Sequence, residues 1–443
     1  MNILLIIADD LGWSDVGFHN GDIHTPNLDK IAEENIQFDQ FYTQPVCTAT
    51  RVSIYTGDYP FRHGFDGVIW PWSDFGMYKK DNLPRTLANN GYDTYLVGKW
   101  NVGHSRKKYL PNSIGFGYHY GGHTGAMDHW EHTQFGVHDF HENGKPIYPQ
   151  GHSTDLYADK VSEILRGRSK DKPFFMCLAL NAPHVPLQTH NEFVKKYNFG
   201  NQNRNIFAGM VTHMDKKIGD LIQTLKDLGQ YDDTIIWFTS DNGGWLGDFG
   251  GTNFPLKDGK ISFYEGGIRV VNIAKMPISE KRISKVCHAS DIFPTLCDLV
   301  GVDRPSVDGV SVLLPGKDRE LAHHYRRISE DKFVGCIRSG DWKYMTYKNE
   351  ELYNIAEDPV ESKNLASQET EILRTLKVRL KSFESIYKKE KFDLAWFPPH
   401  GPPPGFKMPK CWSPSKNLTR IKMLQTQDTR EDLSMREALG LYS

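Results

Sequence analysis

The sequence has little net charge, few cysteines and no hydrophobic run at its start long enough for a membrane. Its formal balance is -2 over 443 residues, with both signs interspersed. That gives no long-range attraction for nucleic acid or an anionic membrane, so an anionic substrate would need cations placed locally. The six cysteines (Cys47, Cys177, Cys287, Cys297, Cys336, Cys411) form no C-x-x-C pair, which argues against a disulfide scaffold or a zinc site. Met1 leads straight into the apolar run Ile3 to Ala8, closed by Asp9 and Asp10. The run is far too short to span a bilayer and has neither a basic n-region nor a small-residue cleavage site. It reads as a buried strand, and no export signal is expected in the chain as written.

What is present suits a large core. With 39% hydrophobic and 12% aromatic residues, the chain can bury one large domain and a smaller second unit. Short apolar runs at Ile3 to Ala8, Thr94 to Val97, Pro173 to Leu180 and Thr234 to Thr239 alternate with helical patterns. This predicts an α/β fold: a large, mostly parallel sheet with helices on both faces. Thr25 and Pro26 mark one helix start, Pro84 to Asn90 reads as a helix stopped by Gly91, and Asn205 to Leu228 as a long packing helix. Beyond about Val310 the pattern shifts to short alternating strands, Phe333 to Ile337 and Trp342 to Tyr347, and a helix near Glu369 to Tyr387. The expected organisation is a catalytic domain over 1–310, a small α+β unit with an antiparallel sheet over 311–395, and a proline-rich tail over 396–443.

In an open parallel sheet, ligands sit beyond the carboxyl ends of the strands. The four predicted strands end in Asp9-Asp10, Gly98-Lys99-Trp100, Ala182-Pro183-His184 and Ser240-Asp241-Asn242-Gly243-Gly244. Asp9, Asp10, Asp241 and Asn242 are hard oxygen donors, suited to Ca²⁺ or Mg²⁺, with zinc as the rival. Either pair alone also reads as an ordinary turn. Cys47-Thr-Ala-Thr-Arg51 looks like a turn opening a helix, where unpaired amides and the positive end of the dipole favour an oxyanion.

These motifs together resemble the type I sulfatase family of the alkaline phosphatase superfamily. Cys47-Thr-Ala-Thr-Arg51 is similar to the signature C-x-[P/A]-x-R, in which the cysteine is converted to formylglycine. The likeness continues through Gly98-Lys99-Trp100, Ala182-Pro183-His184, Ser240 to Gly244, Pro255 to Lys260, Tyr264 to Gly267 and Glu351 to Glu361, covering roughly residues 1–390. Arg204 to Met214 and Gly250 to Leu256 look most like the arylsulfatase B group, which is similar to N-acetylgalactosamine-4-sulfatases and to sulfatases of algal polysaccharides.

The resemblance implies an alkaline-phosphatase-like fold and a sulfuric ester hydrolase acting on a sulfated carbohydrate. Hydrated formylglycine at position 47 would attack sulfur with one hydroxyl and expel sulfate with the other. Asp9, Asp10, Asp241 and Asn242, with residue 47, would hold one Ca²⁺. Arg51 would orient residue 47, and Lys99, His184 and Lys260 would bind sulfate oxygens and serve the leaving group. A formylglycine-generating or maturase enzyme is an implied partner. The family is usually exported, so the compartment stays open.

One position departs from the family. Where Gly-Lys-Trp-His is usual, this chain has Asn101, which cannot accept a proton at neutral pH. That puts turnover in doubt. His104 is a candidate substitute, against the reading of a solvated loop histidine. The histidines from His119 to His152 read as polar loop residues or as cleft lining, Trp70 and Trp72 as core or a sugar platform, and His63 as structural. The rival functions are a phosphomonoester or phosphonate hydrolase, which would usually carry Ser or Thr at position 47, and a non-catalytic sulfoglycan-binding relative.

Overall fold

The computed structural model describes residues 1–386 apart from positions 66, 72, 316–318, 328–331 and 348. Trp72, the end of the final predicted helix at Tyr387 and the tail over 396–443 therefore lie outside the described residues. A ten-stranded sheet runs through the large unit, with Asn2–Ala8 between Thr234–Ser240 and Phe174–Ala179, and Asp93–Gly98 and then Tyr118–Gly121 beyond the latter. These five strands are parallel, while Asn272–Lys275 pairs antiparallel with Thr234–Ser240 and His141–Glu142 antiparallel with Tyr118–Gly121.

Side-chain alternation explains why the central runs carry no polar face. Ile3, Leu5 and Ile7 enter one hydrophobic core, whereas Leu4, Ile6 and Ala8 enter another on the opposite side of the sheet. Phe174–Ala179 divides in the same way. A strand covered on both faces reads as a continuous apolar run. Helix Gln202–Asp227 lays Phe207, Val211, Met214, Ile218, Leu221 and Leu225 on one face, and helix Cys47–Thr56 lays Val52 and Tyr55 on the other.

The helix starts follow their local chemistry. Asn82 Oδ1 accepts from Arg85 N at 3.0 Å, capping helix Leu83–Asn89. Thr25 precedes helix Pro26–Glu34, but its hydroxyl donates to Asp29 Oδ1 and accepts from Gly17 N. Its side chain therefore ties a loop to the helix and leaves the cap amides alone.

Four antiparallel strands, Glu320–Arg327, Lys332–Ser339, Trp342–Met345 and Glu351–Asn354, form the small sheet. Helix Thr370–Glu384 covers one face through Leu376 and Leu380. The other face packs Val334, Cys336 and Met345 against Phe263 and Tyr264 of the large unit. Beneath that contact, Lys343 Nζ lies 2.9 Å from Glu265 Oε1 and 2.8 Å from Glu361 Oε1, all buried. No helix among the described residues is long and apolar enough to cross a membrane.

Candidate active site

The parallel strands deliver their terminal groups to one edge because the loops beyond them remain hydrogen-bonded to one another. Asp9 N donates to Ala182 O at 3.1 Å, Asp241 N to Ala8 O at 3.0 Å and Lys99 N to Ala179 O at 2.7 Å. Gly98 permits the turn of Lys99 into the site: its φ is +113°, and a Cβ there would lie 1.9 Å from Ala179 O. Gly243 serves the neighbouring loop in the same way, since a Cβ would lie 1.7 Å from Gly266 O.

Three carboxylates and three cations interlock at this edge. Arg51 Nε and Nη2 donate to Asp241 Oδ2 at 3.0 and 2.7 Å, and Nη1 donates to Lys99 O at 3.1 Å. Lys99 Nζ donates to Asp9 Oδ2 at 2.5 Å, and Lys260 Nζ to Asp10 Oδ2 at 2.7 Å. Asn242 Nδ2 donates to Asp10 Oδ1 at 2.7 Å. His184 donates from Nδ1 to Val185 O at 2.6 Å, leaving Nε2 3.6 Å from Asp10 Oδ2.

Burial would raise the Asp9 carboxyl, but Lys99, His184 and Arg51 reverse this and lower its pKa. Burial and neighbouring Asp9 raise Asp241 despite Arg51. Burial opposes charge on Lys260, yet Asp10 and its neighbours keep the ammonium more basic than usual. His184 is lowered by burial and by Lys260, so its resting form is the neutral ring.

Cys47 is the first residue of its helix and is buried. Burial raises its thiol pKa, with Lys99 and Lys260 opposing. The neutral thiol is a poor nucleophile. Asn101 Nδ2 lies 3.1 Å from Cys47 Sγ. His104 is buried and donates from Nε2 to Pro71 O at 3.0 Å, and burial lowers its pKa. The solvated-loop reading of His104 is thereby corrected.

The donor set suits a divalent cation. Asp9 Oδ1 and Asn242 Oδ1 are buried acceptors with no hydrogen-bond partner among the described residues. Asp9, Cys47 and Asp241 each bring a ligand atom within 4.8 Å of the others, as do Asp9, Asp10 and His184. Unpartnered oxygens among buried carboxylates match a hard cation.

The structure thus gathers Asp9, Asp10, Cys47, Arg51, Lys99, His184, Asp241, Asn242 and Lys260 in one network, and hydrogen-bonds His104 to a neighbouring loop. Sequence reasoning missed Trp245, whose ring carries Lys260 Nζ 4.6 Å from its centroid. Its place directly after Gly243-Gly244 was the available signal. His119, His123, His129, His132, His138, His141 and His152 are buried, the first, fifth and sixth of them in short strands and the others in loops. His63 bonds Asp58 Oδ2 at 2.8 Å, a structural contact.

The sulfatase family profile matches residues 1–302. The chain belongs to the sulfatase family. This sulfatase is 31% identical to mouse (Mus musculus) arylsulfatase J over 86% of its own length and 75% of that protein. It is 31% identical to human (Homo sapiens) N-acetylgalactosamine-6-sulfatase over 70% of its length, spanning 65% of that protein. The crystal structure of Ps i-CgsB in complex with k-i-k-neocarrahexaose superposes with a TM-score of 0.82 at 30% identity, covering 88% of this chain and 94% of that one. A phosphonate monoester hydrolase of Agrobacterium radiobacter shares the fold at 19% identity and a TM-score of 0.64. The large mixed sheet with its separate antiparallel sheet is the sulfatase α/β architecture.

Proposed function

We propose that this sulfatase removes sulfate from a sulfated carbohydrate of glycosaminoglycan or algal-polysaccharide type, using a formylglycine made from Cys47 and one bound calcium ion. The observation that carries this reading is the thiol of Cys47 at a helix start, within ligand distance of Asp9 and Asp241. A raised thiol pKa makes an unmodified cysteine a poor catalyst in this pocket. Oxidation to the aldehyde, hydrated in water, would supply an oxygen nucleophile in its place. The carbohydrate class is supported by 30% identity to the protein solved with neocarrahexaose and 31% identity to N-acetylgalactosamine-6-sulfatase.

Asp9, Asp10, Asp241 and Asn242 would hold the calcium, which when bound would neutralise sulfate charge and make the nucleophile more acidic. Lys260 stays charged because Asp10 faces it, and so can bind a sulfate oxygen. Lys99 enters beside Asp9 from the end of Asp93–Gly98, two strands along the sheet from Asn2–Ala8. His184 presents Nε2 to the pocket because Val185 O fixes the proton on Nδ1. Arg51 acts one step back: its fork fixes Asp241 and the carbonyl of Lys99. A maturase acting on Cys47 is the implied partner, and action outside the cytoplasm is the compartment that the family resemblance suggests.

Asn101 favours a second reading, a sulfoglycan-binding relative without turnover, because it meets Cys47 where the family usually has histidine. Two measurements decide. Mass spectrometry of the Cys47 peptide from the native source should show a species about 18 Da lighter than cysteine, with a hydrate about 18 Da above that. Free sulfate should appear from galactosamine-4-sulfate, its 6-sulfate isomer or an algal galactan. A peptide with only the thiol, and no sulfate release from this panel, overturns the reading.

A further inference from the structure

A second buried cluster lies in the histidine-rich segment, apart from the carboxylates of the active centre. Asp139 is 1% exposed, and among the described residues no lysine or arginine is recorded in an ion pair with it. Its nearest candidate cation is the His141 ring, with Nδ1 3.6 Å from Asp139 Oδ1. A buried carboxylate without a fixed cation is costly, and such groups are usually paired or bind a metal. The carboxylate is also held in place: Oδ1 accepts from His123 N at 3.0 Å, and Oδ2 accepts from Thr124 N at 2.8 Å and from the Thr124 hydroxyl. Outer donors of this kind orient ligating carboxylates.

His123 supplies the independent observation. It is fully buried, and neither ring nitrogen has a hydrogen-bond partner among the described residues. Buried polar groups left this way are rare and need a cause. Burial keeps the ring neutral, the form that ligates. One atom each from His123, Asp139 and His141 lies within 4.8 Å of the other two.

We propose that His123, Asp139 and His141 form a second metal site that takes one divalent ion of the zinc class, with a fourth position for water. Two imidazoles and one carboxylate suit zinc, whereas calcium prefers oxygen throughout. Zinc bonds of about 2.0–2.1 Å at a tetrahedral angle place donor atoms roughly 3.3 Å apart. Asp139 Oδ1 and His141 Nδ1 are already near that spacing at 3.6 Å. The His123 and His141 rings now stack with centroids 4.1 Å apart, so binding turns the His123 ring to aim one nitrogen at the ion.

The site is tied to the catalytic edge through the backbone. Trp100 N donates to Gly122 O at 2.9 Å, and Asn101 N to His123 O at 3.1 Å. An ion on the His123 side chain thus anchors the segment that supports Asn101 opposite Cys47. The inference does not rest on the sulfatase chemistry proposed above.

The test uses the full-length protein, incubated with zinc, desalted in calcium-containing buffer and analysed for metals by inductively coupled plasma mass spectrometry. About one zinc per chain is expected, with at least a tenfold loss in His123→Gln and in His141→Gln at unchanged calcium content. Wild-type protein that retains no zinc overturns the proposal. So does zinc retained by both variants, which would place the ion elsewhere, at the Asp9 carboxylates or at His152, Asp155 and His213. Cobalt-loaded wild type keeps the question decidable if the variants misfold: intense tetrahedral visible bands are expected, and weak octahedral bands alone overturn the site.

Discussion

Asn101 holds its side-chain amide 3.1 Å from the Cys47 sulfur, on a backbone with φ of +53°. Asparagine tolerates this left-handed conformation, and so does histidine better than most residues. The amide can donate to an oxygen formed at position 47 but cannot take a proton from it. Asn101→His is expected to raise kcat several-fold on an aryl sulfate with little change in KM, and to add an acid limb to the kcat profile near the ordinary histidine range. Steady-state assays between about pH 5 and 8 check this. An unchanged kcat removes Asn101 from the turnover step.

Chelation addresses the cation. Asp9 Oδ1 and Asn242 Oδ1 are buried without hydrogen-bond partners among the described residues, and Asp9, Asp10 and Asp241 converge on the same edge. Calcium added to chelated protein is expected to restore activity and raise stability by about 2.7 kcal/mol at a hundredfold excess over Kd. Thermal melts across a calcium titration read both. A midpoint that does not move with calcium counts against the site.

Lys260 is joined to Asp10 and lies over Trp245. Lys260→Ala is expected to lower kcat/KM by ~10²–10³, the loss that follows removal of one donor to a developing oxyanion. Circular dichroism should stay that of the wild type. Near-normal kinetics would place the ammonium outside the reacting groups.

At the seam between the two sheets, Lys343 is buried between Glu265 and Glu361. Lys343→Met leaves the buried Glu265 carboxylate, next to the Glu361 carboxyl, without its lysine partner and is expected to cost about 3–5 kcal/mol in chemical unfolding. A loss below about 1 kcal/mol would mean that the seam is hydrated.

The same seam sets a pH dependence. Burial raises Glu361 to about 7 although Lys343 opposes. Burial also acts to raise Glu265, but Lys343, Arg269, Arg338 and the Tyr42 hydroxyl bring it down to about 2. The proton therefore resides on Glu361, which has fewer cationic neighbours. Its pKa is above the ordinary glutamate value of 4.5, so its stabilising contribution is complete below that value and lost as pH rises through about 7. Glu265 has the opposite sign: its contribution is present above 4.5 and lost as pH falls through about 2. Urea midpoints should decline from about pH 5 to 8 in the wild type and decline less in Glu361→Gln.

The four central strands and the chemistry at their ends were legible in the sequence, because strands covered on both faces must be continuously apolar and the polar residues that stop them mark one edge. The Cys47 helix was legible from its motif. Local patterning could not reveal the burial of His104, His123 or His141: a histidine has the same sequence signature in water and beneath a sheet edge. The long segment after Gly121 folds back to hydrogen-bond Trp100 and Asn101 through Gly122 and His123, and only that return path takes its histidines out of solvent. Nor could spacing pair Glu265 with Lys343, which lie 78 positions apart.

Sequence alone determined the class of fold, the central strands with charged ends and the residues available where those strands stop, because these depend on periodicity and on motifs a few residues long. Tertiary structure decided which of those residues touch. Asn101 against Cys47, Arg51 on Asp241 and Lys99 on Asp9 bring together atoms from separate segments of the chain. Such contacts arise from how the loops close over a shared core, and their energies, set by burial and by neighbouring charge, exist only once the chain has closed.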